Sequence, residues 1–158
     1  MKAHVVLLLC GVSVLTGCFR SGRLYPVQGP LSAQTPPPIF AAKVTGGFNS
    51  GSISVTLSDG EVCKGPWRLM PRTPTGKGAK PSDSTSSPEM ASAWDTVYGQ
   101  GFYLARVLGA RMHVQGELPG NKGTILNVEM YRNEAPEGVL DIKGVARDNK
   151  GNIYKVVL

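Results

Sequence analysis

A nucleophilic triad or a Cys/His dyad needs an imidazole, and beyond His4 this chain offers only His113. His113 sits in Arg111-Met112-His113-Val114, alternating with apolar positions, and reads as a half-exposed strand histidine. No serine lies in a G-x-S-x-G elbow. Zinc sites draw on several His and Cys residues. Past the first 18 residues this chain has only His113 and Cys63, so neither a metal nor a cofactor is expected. Asp95, Glu117, Glu129 and Asp141 would suit glycoside chemistry if folding brought two of them within ~5–10 Å. No signature surrounds them, and they read as solvated strand positions and ion pairs.

Two loops imitate ligand motifs. Thr75-Gly76-Lys77-Gly78-Ala79-Lys80 has the flavour of a phosphate loop, but Pro71 stands where the first glycine belongs and Gly78 follows the lysine. Asp148-Asn149-Lys150-Gly151-Asn152 has the oxygen donors of a calcium loop, but Lys150 takes a ligand position and the chain ends before a closing glutamate. A hairpin turn accounts for it better.

One feature survives as a binding candidate. Between Glu61 and Asp83 there is no acid, while Lys64, Arg68, Arg72, Lys77 and Lys80 are all cationic, with Trp67 and Met70 among them. Cations beside an amphipathic aromatic suit an anionic surface.

These residues need a scaffold, and its pattern is mostly β. Residues 52–57 alternate strictly, with Ile53, Val55 and Leu57 on one face. Asp59-Gly60 then turns the chain into a second strand at 61–67, the strongest short hairpin signal. A shorter strand is expected at 41–45. The Pro-, Gly- and Ser-rich segment 71–87 reads as a flexible loop. Ser86 and Glu89 have capping-box spacing and Pro88 suits a first turn, so a helix is expected over 88–98, buried through Met90, Trp94, Val97 and Tyr98 and stopped by Gly99 and Gly101. Further strands are expected at 102–108, 111–118, 124–132 with a bulge near Ile125 and Val128, 139–147 and 152–158, the last two joined by a turn at Asp148–Gly151. A faint repeat runs through the chain. Val44-Thr45-Gly46, Gly51-Ser52-Ile53 and Lys64-Gly65 are echoed by Val114-Gln115-Gly116, Gly123-Thr124-Ile125 and Lys143-Gly144. Either duplication of a three-stranded unit or chance in glycine-rich strands explains it.

The N-terminus says where the protein goes. Lys2 precedes the apolar run from Val5 to Val14, and Leu15-Thr16-Gly17-Cys18 closes it with small residues, the layout of an export signal too short to span a bilayer. Leu15-Thr16-Gly17-Cys18 resembles the lipobox of bacterial lipoproteins. The resemblance implies cleavage before Cys18, a diacylglyceryl thioether on its sulfur and an acyl chain on its amine, enough to hold a protein on a membrane. Phe19 follows, in place of the Asp that retains enterobacterial lipoproteins on the inner membrane, which implies the outer membrane, facing the periplasm.

Cleavage would leave Cys63 as the only thiol, expected to be a buried, unpaired strand residue. With 17 Lys and Arg against 11 Asp and Glu, loss of Lys2 lowers the formal charge from +6 to +5. Export removes nucleic acid as a partner. Anionic lipid, lipopolysaccharide and peptidoglycan are the anions within reach, with a protein partner left open. The resulting expectation is a signal peptide (1–17), a lipidated Pro-rich tether (18–38) and one mainly β domain (39–158). That domain is an antiparallel sandwich or barrel-like meander with one short amphipathic helix, serving a non-enzymatic role. The alternative is a small envelope enzyme acting on cell-wall or glycan material.

Overall fold

The computed structural model describes residues 19–47, 49–72, 86–133 and 141–158. Cys18, Lys77, Lys80 and most of the 71–87 loop lie outside them. The described strands are β1 (Phe19–Gln28), β2 (Phe40–Gly46), β3 (Ser50–Thr56), β4 (Val62–Leu69), β5 (His113–Pro119), β6 (Ile125–Arg132), β7 (Ile142–Asp148) and β8 (Ile153–Val157). Each pairs antiparallel with the next, and β8 returns to β1, closing a barrel in simple chain order. Of the two expected architectures, the barrel is the one formed. Its one α-helix among the described residues, α1 (Pro88–Tyr98), is inserted between β4 and β5.

An eight-stranded barrel is just wide enough for side chains to fill. Leu24, Phe40, Ile53, Val55, Cys63, Leu118, Leu126, Val128 and Tyr154 fill this one. Charged residues alternate outward: Arg23, Lys43, Lys64, Arg68, Glu117 and Lys155 are exposed. Apolar inside and charged outside is the reverse of a membrane-spanning barrel.

The first strand corrects the expected tether. Residues 19–28 are not a spacer before a domain starting at 39. They form β1, with Arg23 paired to Ala41 on one side and Val157 on the other. Leu24 is buried at the barrel centre. Pro26 is tolerated because the register shifts between Pro26 and Gln28, a bulge where a missing N–H does little harm. The bulge expected in β6 is absent: Ile125 to Arg132 pairs in continuous register on both sides, with Leu126, Val128 and Met130 inward and Ile125 exposed.

Helix α1 begins one residue later than its capping-box spacing implied. Ser87, not Ser86, accepts the Met90 N–H at 3.2 Å, and Pro88 occupies the first turn. Met90, Ala93 and Trp94 bury against the outer wall of the barrel, forming a second core with Tyr131, Val145 and Ile153. The strand expected at 102–108 is instead a π-helical turn, Tyr103–Val107. Its cause is Asp95, whose carboxylate accepts the N–H of Gly101 and of Tyr103, each at 3.0 Å. Gly99 and Gly101, at φ 106° and 79°, fold the chain back to reach it. Tyr103 and Val107 then bury on one side and Leu104 is left exposed.

The echo between the two halves is only partly matched by register. Val44, Ile53 and Gly65 lie in one row across β2–β4, and Val114, Met130 and Gly144 in one row across β5–β7. The outer members correspond and the middle ones do not, since Ile125 pairs elsewhere.

Candidate functional site

The two ends of the barrel differ in chemistry. At one end the turns at 57–61, 119–124 and 148–152 enclose a satisfied polar plug. Buried Glu61 accepts the N–H of Lys122 and of Thr124, each at 2.9 Å, and the Thr124 hydroxyl. These bonds, the hydroxyl's first, hold the carboxyl well below its usual range, down to about 2, against the opposing effect of burial. Asp148 similarly gathers the Asn152 N–H and side-chain amide and the Tyr154 hydroxyl. The Asp148–Gly151 segment is thus the expected hairpin turn, its carboxylate facing internal donors.

The other end carries the start of β1. Exposed there are Arg20, Lys43, Arg68, Arg72, Arg111 and Arg132. Phe19 is 62% exposed, with the Lys43 ammonium 5.0 Å from its ring centroid. Arg68 and Lys64 point outward from β4 as exposed cations. Trp67, between them, points the other way. It is a core residue whose indole donates to the Thr45 carbonyl at 2.9 Å. Its partner in register is Gly51, where a Cβ would come within 2.5 Å of Trp67 Nε1, so the glycine makes room for the ring. The aromatic expected beside the cations at the surface is therefore on the inner face of the strand, by the two-residue alternation of β structure.

Above Trp67 the barrel interior opens into a mouth of about 370 Å³. Inward register positions line it: Val44, Val114, Met130, Ile142 and Leu158, with Arg20 and Arg132 at the rim. Sequence reasoning passed over this site because its residues come from six different strands and meet only when the barrel closes.

The histidine and the carboxylates form a different cluster, outside the barrel under α1. His113 is buried, not half-exposed, with Nε2 3.2 Å from Glu129 Oε2. Trp94 Nε1 donates to the same oxygen at 2.8 Å, and the Gln115 amide donates to Oε1. Glu129 is 2% exposed and both of its oxygens are engaged by the protein. The cluster has the composition of a catalytic dyad but the accessibility of a structural tie. A groove of about 790 Å³ runs beside it, lined by Arg68, Ser87, Met90, Gln115 and the exposed Glu117. Among the other acids, Asp95 caps the π-helical turn and Asp141 pairs with Lys143 at 2.6 Å and accepts from Asn133.

Cys63 is unpaired and fully buried, and burial pushes its thiol up to about 11, far from the thiolate that reacts. Among the described residues no group of His, Cys, Asp and Glu is arranged to hold a metal ion. No protein-family model, curated protein or solved structure matches the chain.

Proposed function

We propose that this chain is a lipid-anchored protein of the bacterial envelope with a binding or structural role and no catalytic one. It is held through an acylated Cys18, on the periplasmic side of the outer membrane. The observation that carries the reading is the position of β1: its first residue, Phe19, directly follows the lipobox-like Leu15-Thr16-Gly17-Cys18. On this reading no spacer separates the lipid from the barrel. The end that bears Arg20, Lys43, Arg68, Arg72, Arg111 and Arg132 rests on the head groups. Each cation near an anionic leaflet contributes on the order of 1 kcal/mol. Of the anionic contact expected at Lys64, Trp67, Arg68, Arg72, Lys77 and Lys80, Arg68 and Arg72 belong to this end, while Trp67 faces the barrel interior.

Intact-mass analysis of the protein purified from membranes tests the reading. The expected mass begins at Cys18 and includes diacylglyceryl. Cys18→Ala should leave the chain uncleaved or release it from the membrane. An unmodified N-terminus downstream of Cys18 would remove the proposal.

The groove beside Gln115 and Glu117 favours a second reading, an envelope enzyme acting on cell-wall glycan. Glu117 and Glu129 lie diagonally on one face of β5 and β6, since Glu117 pairs with Asn127. Glu129 is committed to Trp94, His113 and Gln115, which leaves Glu117 without an available second carboxylate. Release of soluble glycan from isolated sacculi by the purified protein, lost in Glu117→Gln, would favour it over the non-catalytic role.

A further inference from the structure

We propose that the mouth of the barrel binds an anionic amphiphile with a single acyl chain. The chain would lie against Val44, Val114, Met130, Ile142 and Leu158 and the head group between Arg20 and Arg132.

The mouth, at about 370 Å³, falls in the size range of small-molecule pockets, and barrel mouths are a preferred place for them. Its depth is set by Trp67, because below the indole the interior is packed by Ile53, Leu118 and Leu126. Above the indole its walls are mostly aliphatic and thioether, with Tyr131 on one side and Thr45, Gly46 and Gly47 on another. Arg20 and Arg132 stand two positions from the inward residues Gly22 and Met130, on the same face of their strands, and pair with the inward Val44 and Ile142, so both project at the rim rather than along the outer wall. Among the described residues neither side chain has a hydrogen bond or an ion pair. Two unpaired guanidinium forks above an apolar cavity match a carboxylate or phosphate carried on a hydrocarbon chain. A neutral amphiphile would fill the cavity and leave both charges unanswered.

The inference rests on the envelope reading for the source of its ligand. Arg20 stands two positions after Cys18, so an anchored barrel presents this mouth to the bilayer.

The test uses the full-length protein, processed in a bacterial host and reconstituted in phosphatidylcholine nanodiscs. It is titrated with brominated laurate, which quenches tryptophan on contact. Saturable quenching is expected, carried by Trp67 and lost in Trp67→Phe. The double variant Arg20→Gln, Arg132→Gln should bind about a hundredfold more weakly, since it removes two charge-assisted contacts and each corresponds to about tenfold. Ile142→Trp should block the mouth while leaving both arginines, and circular dichroism of each variant should match the parent. Competition by palmitate or by lysophosphatidylglycerol then separates a free carboxylate from a lipid phosphodiester as the preferred head group. Equal binding of brominated lauryl alcohol, quenching confined to Trp94, or folded variants that bind like the parent would overturn the proposal. The N-terminal mass separates the two ideas. Binding by a protein without acyl groups sinks the anchor alone, and an acylated protein that fails to bind sinks this site alone.

Discussion

The Trp94 indole N–H donates to Glu129 Oε2 at 2.8 Å, across 35 positions of sequence, and ties α1 to the outer wall of the barrel. The same oxygen lies 3.2 Å from His113, and the other accepts from Gln115. Around this polar point sits an aromatic cluster: Trp94 stacks 5.5 Å from Tyr98 and meets Tyr131 edge-on at the same distance, and Tyr98 stacks 4.8 Å from Phe102. One buried acceptor thus anchors the middle of a helix whose end is tied by the Tyr98 hydroxyl to the Gly144 carbonyl at 3.3 Å.

Trp94→Phe keeps most of the ring and removes the donor. A buried acceptor short of one partner costs about 1–3 kcal/mol. The variant should therefore lose that much stability in urea unfolding, and Glu129→Ala should lose more because Trp94, His113 and Gln115 all lose a partner together. Unfolding midpoints within error of the parent for both variants would show that the tie contributes nothing.

Stability should also depend on acid through Glu61. Its folded value, about 2, lies below the ordinary 4.5. A depressed carboxyl stabilises the fold in full above its unfolded value and loses that contribution as pH falls through its folded one. The parent should exceed Glu61→Gln in thermal stability at neutral pH, and the gap should narrow from pH 4.5 down to about 2. A gap that stays constant over that window would assign the effect to shape rather than charge.

Deletion of residues 19–28 distinguishes a strand from a tether. As β1 they supply Leu24 to the core and pair with both β2 and β8. The deleted protein should lose cooperative unfolding and become protease-sensitive. A sharp melt near that of the parent would restore the tether.

Much of the scaffold was legible in local pattern. The strict alternation around Ile53 and Val55 and the Asp59-Gly60 turn placed β3 and β4, and the spacing of Met90 and Trp94 placed α1. What failed were signals with two physical causes. Pro26 and its neighbouring glycines read as linker because a proline in a strand is tolerated only at an irregularity, which sequence does not display. The alternation after Phe102 read as strand because the capping carboxylate that bends it, Asp95, lies eight positions before Tyr103. His113 and Trp67 were placed on strands correctly, but which face they take depends on what packs outside the barrel. The mouth lined by Arg20, Ile142 and Leu158 is assembled from both ends of the chain and has no local trace at all.

Closure of the barrel by β1 against β8 also sets an order of events. Arg23 cannot meet Val157, nor Leu24 meet Val156, until β8 has been made. Pairing of such distant segments is slow, because the entropy of closing so long a loop comes before any contact rewards it. A chain synthesised from its N-terminus therefore carries one edge of its first strand unpaired until β8 has been made. The barrel closes only when β8 arrives.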